Sequence, residues 1–203
     1  MNSSQRRMLL ITAGIVLPAA AIWGVIDYVA GAPARSKAAF EDGMRIMGTN
    51  DFVGAAKRFS DSISIRETAD AYLERGNAYE NLQQGDKALA DWSKALNLDQ
   101  GMAAAYTARA THYRLAGNFA KAIPDLDQSI QLDPSVDGYF QRGQTYAALG
   151  DYKKAVEDYD RSILERREAP YVYLARSIAK RALGDEEGYR QDQLKAAELQ
   201  NIR

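Results

Sequence analysis

Apolar and small residues return along this chain at a fixed interval. Tyr72, Gly76, Tyr79, Ala88, Trp92 and Ala95 mark one unit, and a shift of 34 residues gives Tyr106, Ala110, Tyr113, Ala122, Leu126 and Ser129. A further 33 gives Tyr139, Gly143, Tyr146, Ala155, Tyr159 and Ser162, and a step back of 33 gives Ala39, Gly43, Ile46, Ala55, Phe59 and Ser62. Self-similarity at this period predicts stacked repeats, each burying its apolar face on its neighbours. The amino terminus follows another pattern. Residues 8–26 run 19 positions without a charge. As a helix this run spans about 28 Å, close to the roughly 30 Å of a bilayer's hydrocarbon.

The repeated landmarks resemble those of the tetratricopeptide repeat family, a helix–turn–helix unit with small, large and aromatic residues at set offsets. The resemblance and the apolar run together imply an all-α fold. It is a right-handed superhelical solenoid of about five helix-turn-helix repeats, preceded by one amino-terminal transmembrane or signal-anchor helix. The expected organisation is a basic tail over 1–7, an anchor over 8–30, a short linker over 31–35 and a repeat domain over 36–203. Its repeats are 36–68, 69–102, 103–135, 136–169 and a degenerate capping repeat at 170–203, where Ser177, Lys180, Tyr189 and Gln193 replace the usual residues. Gly76, Ala110 and Gly143 would let paired helices approach closely, while Tyr79, Tyr113 and Tyr146 would act as half-buried wedges.

Around the anchor, Arg6 and Arg7 precede the run, Trp23 and Tyr28 stand at its far end, and Pro18 interrupts it. Aromatics favour the headgroup layer, and membrane helices tolerate proline. Ala32 and Ala34 supply a small-residue pattern for signal cleavage, but the run exceeds the roughly 7–15 residues of a signal core. An uncleaved, single-pass anchor is the expectation. Charge flanking leans to a cytoplasmic amino terminus and a periplasmic or extracytoplasmic repeat domain.

Composition narrows the chemistry. The net charge is −1 with no basic tract, which argues against nucleic acid. Cysteine is absent and His112 is the only histidine, so thiolate and multi-histidine metal sites are excluded. No phosphate-cradling loop or serine-nucleophile motif occurs. No enzyme activity, cofactor or small-molecule substrate is expected. One charge pattern does stand out. Arg75, Arg109, Arg142 and Arg176 each precede an aspartate by 16 residues (Asp91, Asp125, Asp158, Asp192), and Asp42 and Arg58 show the same spacing reversed. This predicts an ion pair joining the helices of each repeat, worth about 0.2–1 kcal/mol if exposed.

In arrays of this family the first helix of each repeat lines an inner groove. Position by position, that implies a peptide-binding face made of Phe40, Met44, Leu73, Asn77, Asn81, Thr107, Thr111, Arg114, Phe140, Gln144, Ile178 and Arg181. A family subgroup grips acidic carboxyl-terminal tails with a lysine at the position of Leu73 or Phe40 and an asparagine four later. Asn77 fits but the lysine is missing, so that partner is disfavoured. The expected function is a non-catalytic, membrane-anchored scaffold, adaptor or assembly factor holding a peptide segment of a membrane or envelope complex. The alternative is a structural subunit bound permanently in a larger complex.

Overall fold

The computed structural model describes residues 28–134, 137–165 and 169–201. Among the described residues from Ala32 onward, ten helices form five hairpins. The pairs are α1 (Ala32–Met47) with α2 (Phe52–Ile65), α3 (Ala69–Asn81) with α4 (Gly85–Leu98), and α5 (Ala103–Leu115) with α6 (Phe119–Leu132). They continue with α7 (Gly138–Ala148) and α8 (Tyr152–Glu165), and end with α9 (Pro170–Ala182) and α10 (Glu186–Asn201). No strand occurs among the described residues. Each helix packs chiefly on the helix before and the helix after it, as a solenoid requires. The linker expected at 31–35 is instead helical from Ala32: Pro33 sits in the first turn, where its missing N–H costs nothing. The apolar run at 8–26 lies outside the described residues, among which no helix is long and apolar enough to cross a membrane.

The hairpin turns share one backbone device. Asn50, Gln83, Gly117, Gly150 and Gly184 all take positive φ. The residue after the turn glycine or glutamine then donates back to the first helix: Gln84 to the Tyr79 carbonyl (2.8 Å), Asn118 to Tyr113 (2.7 Å), Asp151 to Tyr146 (2.9 Å) and Asp185 to Lys180 (3.0 Å). These are the six-to-one bonds that close a helix end in a Schellman turn. Gln83 adopts there a conformation that costs a side-chain-bearing residue roughly 1–2 kcal/mol. Gln83→Gly should therefore stabilise the array by about 1 kcal/mol, read as a higher urea midpoint at unchanged slope.

Within each hairpin the two helices meet through residues matched in size. Gly76 faces Trp92, and a methyl group on it would fall 2.7 Å from the indole nitrogen. Gly143 faces Tyr159 at 2.8 Å by the same measure. The third hairpin uses Ala110 against the smaller Leu126. In the fifth, Gln193 Nε2 donates to Ser177 Oγ at 2.8 Å, and Ser177 is fully buried. Two of the substituted residues of the capping repeat are thus turned on one another, while Leu194 of α10 is left exposed.

The spaced arginines and aspartates do touch. Arg75 Nε and Nη2 reach Asp91 at 2.7 and 2.8 Å, and Arg109 holds Asp125 at 2.8 and 2.7 Å. Arg142 grips Asp158 and Arg176 grips Asp192 in the same bidentate way. In the first hairpin Arg58 Nε meets Asp42 at 2.9 Å. The exposed pairs expected from sequence are in fact sheltered, with the four aspartate side chains only 5–11 % exposed. The hydrogen bond to its aspartate raises the pKa of each of these four arginines above the ordinary value.

Each arginine also crosses to the preceding hairpin, a contact the spacing did not suggest. Arg75 Nη1 donates to Ser60 (3.0 Å) and Arg109 Nη1 to Ser93 (3.2 Å). Arg142 Nη1 donates to Asp127 (2.6 Å) and Arg176 Nη1 to Asp160 (2.5 Å). One guanidinium therefore ties three helices.

Candidate peptide-binding face

Successive first helices touch one another from α1 to α9, whereas among the described residues no second helix touches another second helix. In a curved stack the closer-spaced layer is the inner one. α1, α3, α5, α7 and α9 therefore form the concave face.

The residues expected on that face differ in what they leave free. Met44 and Ile178 are exposed at 42 % and 57 %. Phe40 is half-buried against Phe59, with ring centroids 5.6 Å apart. Leu73 is buried at 7 % among Tyr72, Trp92 and Leu96, and is core rather than groove: its large side chain fills the junction between hairpins. Asn77 does not offer a free amide. Its Oδ1 accepts from Trp92 Nε1 (3.1 Å) and its Nδ2 donates to Glu74 (3.2 Å), because the buried indole N–H needs a partner. Asn81 is exposed, and its Nδ2 donates to the Asn77 carbonyl. Thr107 Oγ1 lies 2.6 Å from Ser129 Oγ, and Thr111 donates to the Thr107 carbonyl. Gln144 is half-buried on α7.

The carboxyl half of the face holds aromatics and arginines. Phe140 meets Tyr171 edge-on at 4.9 Å and Tyr159 at 5.9 Å. Arg181 lies 4.9 Å over the Tyr189 ring. Arg114 differs from the ladder arginines. Its Nε is enclosed without a hydrogen-bond partner, and burial lowers its pKa below the usual guanidinium value. Its electrostatic neighbour is Tyr159, whose hydroxyl is pushed up to about 12 by burial, against the opposing pull of Arg114. The unfolded tyrosine loses its proton near pH 10 and the folded one near 12, so this contribution is complete below pH 10 and is lost as pH rises toward 12. In alkaline urea titrations, Tyr159→Phe should flatten the fall of stability across that window by about 2 kcal/mol.

At the other end, Ser36, Lys37, Phe40, Ser62, Arg66 and Asp70 line a cleft of about 160 Å³ between the first two hairpins. It has room for one side chain, well short of the roughly 300 Å³ of a small-molecule pocket. His112, the single histidine of the sequence, bridges repeats: its Nδ1 lies 2.9 Å from Glu80 Oε2, joining α5 to α3. The signal for it was in the repeat register. Phe52, Phe119 and Tyr152 begin their second helices, whereas α4 begins with Gly85 and α10 with Glu186. A methyl group on Gly85 would fall 2.4 Å from the His112 ring, so the missing aromatic makes the histidine's room.

Two family models described as tetratricopeptide repeat match residues 73–137 and 136–167. Sperm-associated antigen 1 of Rattus norvegicus is 36% identical over 89 residues, covering 44% of this chain and 10% of that protein. DnaJ homolog subfamily C member 7 of Mus musculus is 31% identical over 80 residues, covering 39% of this chain and 16% of that protein. The matched stretch is thus a small part of either relative. Among solved structures, MamA superposes with a TM-score of 0.72 at 22% identity, covering 79% of this chain and 95% of that one. The MamA RS-1 ArsTM double mutant gives 0.74 at 15% identity, covering 83% and 96%. Likeness at such identity shows the fold alone.

Proposed function

We propose that this chain, which carries tetratricopeptide repeats, is a non-catalytic, membrane-anchored scaffold that holds a peptide segment of a membrane or envelope complex on its concave face. The observation that carries the reading is the division of labour among its side chains. The arginine–aspartate pairs are spent on holding helices together, whereas Met44, Tyr171 and Ile178 stand exposed on first helices, left partly uncovered by their own array. Exposed apolar side chains on a concave surface are what a helix or extended segment docks against. Anchoring rests on the length and charge-free character of residues 8–26. Arg6 and Arg7, which precede that run, support an exported repeat domain.

Photo-crosslinking in cells tests it. A photoreactive amino acid at Ile178 should give a discrete adduct with a membrane-associated protein, and one at Gln128 on the second-helix side should give none. Equal adducts from both positions, or none from Ile178, would remove the concave face from consideration. Retention of the chain in the membrane pellet after an alkaline wash checks the anchor separately.

A further inference from the structure

Resting on that scaffold reading, we propose that the concave face over α5, α7 and α9 selects a peptide segment in which an aspartate or glutamate stands within four residues of a large apolar side chain. The carboxylate meets Arg114, and the apolar group lies against Phe140, Tyr171 and Ile178.

Arg75, Arg109, Arg142 and Arg176 each hold a carboxylate in bidentate geometry. Arg114 is sheltered too, yet among the described residues no carboxylate reaches it and its Nε has no acceptor. A part-buried cation without a counter-charge destabilises the array that carries it, and an incoming anion relieves that cost. Helical spacing places Arg114 on the face of α5 that bears Thr107 and Thr111, seven and three residues before it. Electrostatics first, and then ring packing, link Arg114 to the aromatics. Arg114 acts on the Tyr159 hydroxyl, Tyr159 packs on Phe140, and Phe140 packs on Tyr171. Tyr171 and Ile178 remain exposed at 42 % and 57 % on α9. A guanidinium is thus linked through buried Tyr159 to an open aromatic and aliphatic surface, an arrangement that suits a carboxylate within a few residues of one bulky side chain.

Charge on the rest of the face fixes where that carboxylate goes. α3 carries Asp70, Glu74 and Glu80, and among the described residues only Glu80 has a basic partner there, His112. An acidic peptide residue is repelled from α3 and attracted to α5. Between these two helices, acid is therefore accepted at α5 and not at α3.

The test uses the full chain immobilised in detergent micelles. One pool holds acetylated, amidated 12-residue peptides with a central Phe or Leu and one Glu at offsets of one to four, in an Ala, Ser and Thr background. A second pool carries Gln in place of Glu, and a third is the Gln pool with free carboxyl termini. Mass spectrometry of retained peptides should show the Glu pool enriched about tenfold over the Gln pool, with the margin shrinking as salt rises. Arg114→Gln should bring the two pools to parity without weakening the Gln pool, and Arg114→Lys should keep part of the preference. A thermal midpoint for Arg114→Gln no lower than wild type establishes that it folds. Equal retention of both pools, or a preference that survives Arg114→Gln, overturns the proposal, as does enrichment of the free-terminus pool alone. No retention of any pool overturns the scaffold reading with it.

Discussion

Replacing Asp125 with alanine should destabilise the array by about 3–5 kcal/mol. The substitution leaves Arg109, whose side chain is 20 % exposed, facing the place where two carboxylate oxygens stood at 2.7 and 2.8 Å. Its remaining protein acceptor is Ser93. A neutral hydroxyl does not balance a guanidinium, so the cost is that of an unpaired sheltered charge rather than of one lost contact. The first hairpin is the internal control. Asp42 is 31 % exposed and Arg58 48 %, so Asp42→Ala should cost far less than Asp125→Ala. Urea titrations of both variants and of Arg109→Met/Asp125→Leu decide the matter. The double variant should recover most of the loss; if Asp125→Ala and Asp42→Ala cost the same, shelter is not what gives the pair its weight.

The second large effect is at Trp92. Its side chain is 1 % exposed and fills the gap opened by Gly76, so Trp92→Ala should cost about 3–5 kcal/mol. Part of that is the orphaning of Asn77 Oδ1, which accepts the indole N–H. Trp92→Phe separates volume from hydrogen bonding: it keeps most of the ring packing, loses the hydrogen bond, and should cost about 1–2 kcal/mol. Thermal melts of the two variants measure the split. A Trp92→Phe loss as large as that of Trp92→Ala would mean that the hydrogen bond, and not the filled volume, is what Trp92 mainly contributes.

Much of the fold was legible because a repeat writes each contact several times. The 16-residue interval between arginine and aspartate predicted a touch within the hairpin, and the reversed Asp42–Arg58 pair strengthened it. The second contact of each arginine was not legible in the same way. Its partner is serine twice and aspartate twice, so no single residue type marks the position. The concave face was harder still. Register puts Leu73 and Asn77 on it, but burial and hydrogen bonding depend on the neighbouring hairpin. Leu73 drops into the junction, and Asn77 is taken by a tryptophan that only the second repeat carries. Gly85 shows the reverse case: a glycine where three of the five second helices begin with an aromatic residue was visible in the sequence, and His112 is what occupies the space.

The joints between hairpins are of two kinds, and this makes the array unevenly elastic. Arg75 and Arg109 reach back to neutral hydroxyls, whereas Arg142 and Arg176 reach back to carboxylates. Charge-assisted bonds are roughly twice as strong as neutral ones, so the last three hairpins are clamped more stiffly than the first three. Asp127 and Asp160 are about half exposed, and dissolved ions weaken such joints while leaving hydroxyl joints nearly untouched. At low ionic strength the molecule is a spring with a pliant front and a stiff back. Salt evens out the two.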